Sequence, residues 1–127
     1  GVTELLVGVP FPALAFEIMR HATPPNFFTE TILGGATFPA EMAVRRGLVN
    51  EAVEPAALLA RAMAVAQELA ALPPPAFAQT KMQIRAPVTE RMAQSGKTTD
   101  EAVTEIWCAP ETVGYIREYV ARTLKKA

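Results

Sequence analysis

Residue types that can carry out chemistry are few in this sequence, and most of them stand alone. The one histidine, His21, has no Asp or Cys partner at the spacing of metal ligands, so we interpret it as a structural or solvated residue. The one cysteine, Cys108, can form neither an internal disulfide nor a cysteine-based zinc site. The only serine, Ser95, lies in no nucleophile elbow. We therefore predict no metal site and no serine or cysteine nucleophile.

Glu4 is the remaining candidate for chemistry. It precedes the apolar run Leu5-Leu6-Val7, and Gly8, Pro10 and Pro12 then restrict the backbone. Apolar neighbours disfavour the charged form of a carboxylate, which suits a group that accepts and returns a proton. On spacing alone, a surface glutamate near the start of the chain is the commoner explanation. Both interpretations stay open on this evidence.

Length and composition indicate one globular domain. The chain has 127 residues, of which half are hydrophobic and 20% are charged, and this argues against disorder. A net charge of −1 leaves no large basic face, so nucleic acid is not an expected partner. No apolar run is long enough to span a membrane. A single cysteine and no visible signal or transit peptide predict a cytoplasmic protein.

The elements that must position Glu4 are predicted to be mostly helical. Prolines and glycines favour an extended or loop segment over residues 1–12, followed by three helices. The short apolar run Leu48–Val53 is the best candidate for a strand. The three helices are predicted over residues 13–22, over 27–33 with Asn26 as the N-cap, and over 40–46.

The second half of the chain is also predicted to be helical, with proline or glycine at most boundaries. Apolar residues recur there at spacings of three and four, which predicts stripes on helix surfaces. Gly96 is expected to end one helix, and Thr99 or Asp100 to cap the next. The expected helices start at Pro55, after Pro73-Pro74-Pro75 with a bend near Pro87, near Thr99, and after Pro110.

Residues 33–53, LGGATFPAEMAVRRGLVNEAV, resemble the enoyl-CoA hydratase/isomerase (crotonase) superfamily. In that family a helix ends in glycine, a helix with the pattern Ala-Glu-x-Ala follows, and Gly-Leu-Val then precedes an apolar strand. Upstream, Glu4-Leu5-Leu6-Val7-Gly8 is similar to the family's Glu-x-x-x-Gly segment, whose glutamate is an acid/base residue. The resemblance covers essentially the whole chain, but only the C-terminal half of a family member.

This resemblance implies an α/β crotonase-type (ClpP/crotonase) fold, present here as its mostly α-helical C-terminal portion with one or two short strands. Residues 1–53 would then be the end of the spiral core, and residues 54–127 a helical region for oligomerisation. The first residue, Gly1, is not methionine and leads directly into an apolar run, so we expect a missing N-terminal portion.

The resemblance also implies a function. In the family, two backbone N–H groups form an oxyanion hole that stabilises an enolate of the acyl-CoA thioester. Glu4 would be the catalytic base, and Phe11 and Phe16 would line the acyl pocket unless they are ordinary core residues. Tyr119 and Lys125 would approach the CoA of a neighbouring subunit. No cofactor is expected apart from the coenzyme A of the substrate.

The predicted function is isomerisation or hydration of an enoyl-CoA. The pair Pro10-Phe11 after the glutamate resembles the Δ3,Δ2-enoyl-CoA isomerase branch, and the last helix lacks the Phe and Lys of hydratases. The oxyanion-hole segments belong to the N-terminal core of the family, so the chain alone is expected to be inactive. The terminal helices are expected to form a homo-oligomer, a trimer or hexamer. Open alternatives are another crotonase chemistry such as acyl-CoA hydrolysis, a non-catalytic assembly module, or a plain helical interaction module.

Overall fold

A computed structural model describes residues 1–123, and helices are its regular elements throughout that range. Most helices begin at or directly after a proline, whose fixed φ suits the first helical turn. The elements are α1 (Glu4–Val7), α2 (Ala13–Ala22), α3 (Pro25–Leu33), α4 (Ala40–Arg45), a 3-10 turn (Pro55–Ala57), α5 (Leu58–Ala70), α6 (Pro74–Arg91), a π-helical turn (Met92–Gly96), α7 (Lys97–Cys108) and α8 (Pro110–Thr123). The predicted mostly helical chain is thus confirmed, while the crotonase-type architecture stays a prediction.

Three predictions about the first half are wrong. Leu48–Val53 is not a strand, and residues 1–12 are not extended or loop throughout, because Glu4–Val7 form a helical turn. A strand is stable only when its N–H and C=O groups pair with a neighbour. Residues 1–123 offer Leu48–Val53 no partner strand, and the Leu48 amide instead donates to the carbonyl of Ala43. Helix α3 also begins at Pro25, so Asn26 lies inside it rather than capping it.

Helix α4 ends in a Schellman motif. Gly47 has a left-handed φ of 68°, its amide donates to the carbonyl of Val44, and the amide of Leu48 donates to the carbonyl of Ala43. The preceding residue, Arg46, lies over the rings of Phe27 and Phe38 at 5.1 and 4.8 Å. These contacts hold the end of α4 against α3 and against the segment that precedes α4.

Residues 74–108 form a nearly continuous helical rod. The π-helical turn links α6 to α7, so Gly96 does not end a helix and neither Thr99 nor Asp100 caps α7, contrary to prediction. Gly96 is buried, and a Cβ at this position would lie 2.8 Å from the Met92 methyl carbon. A single π-helical turn can lie inside an α-helix because its residues keep helical backbone angles, so the helix continues from α6 into α7.

The core is small and lies in the first third of the chain. Its buried members are Val2, Phe11 and Ile32, and the partly buried Ala15, Phe16, Met19 and Phe28 pack against them. Neither α5 nor α6 contains a buried residue. Within residues 1–123 no single helix is long and apolar enough to cross a membrane. The helical segments Pro55–Ala70 and Pro74–Cys108 meet the length and hydropathy criteria only when taken together, and they are bent by 107° relative to each other.

Candidate functional site

Glu4 lies in the first turn of α1, and backbone hydrogen bonds fix that turn. The amides of Leu6 and Val7 both donate to the carbonyl of Thr3, at 3.0 and 3.2 Å. At the other end, the Val9 amide donates to the Glu4 carbonyl at 3.0 Å, in the same Schellman arrangement that ends α4. The amide of Val9, which follows the turn, therefore holds the carbonyl group of Glu4 in place.

Gly8 allows helix α8 to pack directly on α1. Its φ is +84°, a left-handed conformation that side chains with a Cβ adopt at a cost. A Cβ at this position would lie 2.9 Å from the Cβ of Tyr115 and 3.0 Å from its ring. Glycine is therefore suited to this position for two reasons: it adopts the left-handed conformation at low cost, and it leaves room for α8.

Helix α7 holds the segment that joins α1 to α2. The indole N–H of Trp107 donates to the carbonyl of Pro10 at 3.0 Å. The backbone amide of Ala13, the first residue of α2, donates to Oδ1 of Asp100 at 2.7 Å. Residues far along the chain therefore fix the backbone on the C-terminal side of Glu4, and local sequence does only part of the positioning.

The Glu4 carboxylate has an oxygen atom without a hydrogen-bond donor among the described residues. Its Oε2 atom is buried and accepts no hydrogen bond from residues 1–123. Leaving a buried acceptor unpaired costs about 1–3 kcal/mol, so such groups are uncommon in folded proteins. A carboxylate oxygen that is held in place and not engaged by a neighbouring donor can accept a proton from a substrate.

Beside Glu4, a groove of about 330 Å³ lies between α1 and α8. It is lined by Leu5, Leu6, Gly8, Tyr115, Glu118, Tyr119 and Arg122, and Glu4 is not among these residues. Tyr119, predicted to contact a neighbouring subunit's CoA, faces the α1 of its own chain here, with the Arg122 guanidinium 5.9 Å from its ring centre. Lys125, the other predicted CoA contact, lies outside the described residues.

Phe11 and Phe16, the predicted acyl-pocket residues, lie together in the core. Phe11 is 7% exposed, and its ring centre is 6.1 Å from that of Phe16 in an edge-to-face arrangement. Phe16 meets Phe28 in the same way at 5.5 Å. These contacts account for both residues as core packing, and their role in binding an acyl chain stays a prediction.

Glu17 is a buried charged residue that sequence reasoning missed. It accepts a hydrogen bond from the Arg91 Nε atom at 2.5 Å, and this bond joins α2 to the end of α6. Glu17 also forms an ion pair with Arg20 of its own helix, at 3.2 Å. By contrast, the pair between Glu51 and Arg61 is exposed; its hydrogen bond raises the pKa of Arg61. Only the spacing of Glu17 and Arg20 is visible in the sequence, as neighbours three residues apart on one helix.

Among the described residues, the carboxylate of Glu4 has one buried oxygen without a hydrogen-bond partner, and no cluster of three or more His, Cys, Asp or Glu side chains could bind a metal ion. This arrangement makes Glu4 the candidate acid–base residue. The model of the enoyl-CoA hydratase/isomerase family matches residues 1–112, and the chain belongs to that family. Comparison with curated proteins found no match. Comparison with solved structures found none either.

Proposed function

We propose that this chain supplies the acid–base glutamate, Glu4, of an enzyme that isomerises or hydrates an enoyl-CoA. Family members act on acyl-CoA thioesters. The observation that carries the proposal is the buried, unpaired Oε2 of Glu4 on a turn that distant helices hold in place. The substrate brings its own coenzyme A, and we propose no other cofactor. A cytoplasmic location is part of the same proposal.

In the proposed isomerisation, Glu4 removes a proton from the α-carbon of a 3-enoyl-CoA. The electron pair moves onto the thioester carbonyl as a dienolate, and Glu4 then returns the proton to the γ-carbon. In hydration, Glu4 removes a proton from water as the hydroxyl group adds to the β-carbon of a 2-enoyl-CoA, and Glu4 then returns that proton to the α-carbon of the enolate. Either intermediate needs backbone N–H donors at the carbonyl oxygen, and loss of one such donor costs about 10²–10³-fold in rate. The resemblance assigns these donors to the N-terminal core of the family, so we expect residues 1–127 alone to be inactive.

Replacing Glu4 by glutamine tests the assignment. Glutamine preserves shape but cannot accept the proton, so kcat for a 3-enoyl-CoA or crotonyl-CoA should fall by about 10²-fold or more in the enzyme that contains this chain. The matched control is Glu41→Gln, which changes an exposed glutamate on α4. The proposal is wrong if Glu4→Gln and Glu41→Gln turn over at similar rates. Release of free CoA thiol from the same substrates would instead support the hydrolase alternative.

We also propose that the protein assembles as a homo-oligomer, a trimer or hexamer by family resemblance. The supporting observation is apolar surface: Ile84, Ile106 and Val120 are each more than 40% exposed. Helix α5, which lies outside the helices predicted to form this surface, exposes more, with Leu59 at 75%. Large contiguous apolar patches are rare on monomers, so partner surfaces are expected over these helices. Helices α6 and α7 also contact α2 of the same chain, so not all of their surface is free for a partner. Leu124, the last member of the predicted stripes, lies outside the described residues.

Light scattering tests the assembly. The enzyme should have a mass of three or six protomers at micromolar concentration, and Ile84→Asp should lower it by placing a charge in an apolar interface. Gln83→Asp, a change at the exposed neighbouring position, is the control and should keep the mass of the parent enzyme. A monomeric parent enzyme would contradict the proposal. An oligomer that stays inactive with every acyl-CoA would support the non-catalytic alternative.

A further inference from the structure

We propose that Asp100 and Trp107 are positioning residues for Glu4. From α7 they hold the segment Pro10–Ala13, and through it they fix the turn that carries the carboxylate. Neither residue touches the reacting atoms. The inference rests on the proposed function of Glu4, and its experiment separates the two.

Asp100 caps a helix in which it does not lie. Helix α2 begins at Ala13 after Pro12, and no side chain at its own N-cap position makes a capping hydrogen bond. The first amides of a helix have no partner within it, and a carboxylate is their strongest acceptor. Oδ1 of Asp100 supplies that acceptor to the Ala13 amide at 2.7 Å, in a partly buried position. Its negative charge also suits the positive end of the α2 dipole.

Trp107 holds the same segment three residues earlier. Its indole N–H donates to the Pro10 carbonyl at 3.0 Å. Pro10 lies between Val9 and Phe11, which are 3% and 7% exposed and cannot move without disturbing the core. The indole thus contacts a backbone that is already stiff, because proline fixes φ and its two neighbours are buried.

The connection from this segment to Glu4 is short. Val9, directly before Pro10, donates its amide to the carbonyl of Glu4 at 3.0 Å. A displacement at Pro10 therefore reaches the main chain of Glu4 through one residue and one hydrogen bond. Catalytic groups are sensitive to such displacements, since a misplacement of about 1 Å can cost on the order of 10²-fold in rate.

Three substitutions on α7 test this inference in the active enzyme. Asp100→Ala removes the acceptor and Trp107→Phe removes the donor, so each should lower kcat by about 10-fold and leave KM within about twofold. Asp100→Asn keeps an oxygen acceptor and should retain at least about half of kcat. Glu101→Ala is the control; this exposed residue makes only a 3.8 Å pair with Lys97. The inference is overturned if kcat is unchanged in both Asp100→Ala and Trp107→Phe, or if Asp100→Asn is as slow as Asp100→Ala.

Amide hydrogen exchange provides a readout that does not depend on activity. Asp100→Ala should speed exchange at Ala13 by about 10-fold or more and exchange at Val9 to a smaller extent, because the released segment opens locally. Asp100→Asn and Glu101→Ala should stay close to the parent protein. Should Asp100→Ala fail to fold, the conservative Trp107→Phe decides through exchange at Val9. If amide exchange is unaltered in these variants, only the positioning inference is overturned. Full activity of Glu4→Gln would instead overturn the proposed function.

Discussion

Replacing Gly8 by alanine should destabilise the protein through two separate effects. The left-handed backbone at Gly8, with φ +84°, costs an L-residue roughly 1–2 kcal/mol. The new methyl group would also lie 2.9 Å from the Cβ of Tyr115. That atom is attached directly to the α8 backbone, so a rotamer change cannot relieve the contact and the helix must shift, at about 1–3 kcal/mol. Together the free energy of unfolding should fall by roughly 2–5 kcal/mol.

Urea denaturation followed by circular dichroism measures this loss, and Gly114→Ala is the matched control. Gly114 lies inside α8, and a Cβ added there would have no neighbouring atom within 4 Å, so alanine should stabilise by about 0.5–1 kcal/mol. Combining Gly8→Ala with Tyr115→Gly, which removes the Cβ of residue 115, should relieve the crowding and cost less than the sum of the single changes. If Gly8→Ala is as stable as the parent protein, the packing of α8 on α1 is not as described.

Two further predictions concern the core and the buried charge. Phe11→Ala should lower the free energy of unfolding by about 3–5 kcal/mol, because it removes a buried aromatic ring, whereas Leu33→Ala, at a position 67% exposed, should leave the urea midpoint nearly unchanged. Glu17→Ala should cost roughly 1–2 kcal/mol by thermal denaturation, since it leaves Arg91 without its 2.5 Å partner but with access to water. Arg61→Ala, which breaks an exposed pair, should have no measurable effect; equal losses for Glu17→Ala and Arg61→Ala would contradict the assigned burial.

Local sequence signals predicted the helices well, whereas the role of Glu4 as a base stays a prediction. Prolines and glycines act on their own backbone, so α2 has the predicted bounds and α4 differs from its prediction by a single residue. The predicted strand at Leu48–Val53 failed because a strand depends on a partner that residues 1–123 do not provide. Trp107 and Asp100 could not be assigned their contacts either. Their partners, Pro10 and Ala13, are 97 and 87 residues away, and helical periodicity carries no information about such pairs.

The same separations have a consequence for the order in which the protein folds. The contacts Glu17–Arg91, Ala13–Asp100 and Pro10–Trp107 span 74, 87 and 97 residues. Contacts between distant residues form slowly because a long loop must close first, whereas each helix can form from its own neighbours. During synthesis at about 5–20 residues per second, α1 and α2 therefore leave the ribosome several seconds before α7 is available. The turn that carries Glu4 can therefore form early, but α7 can hold it in place only after the chain has been translated past Trp107.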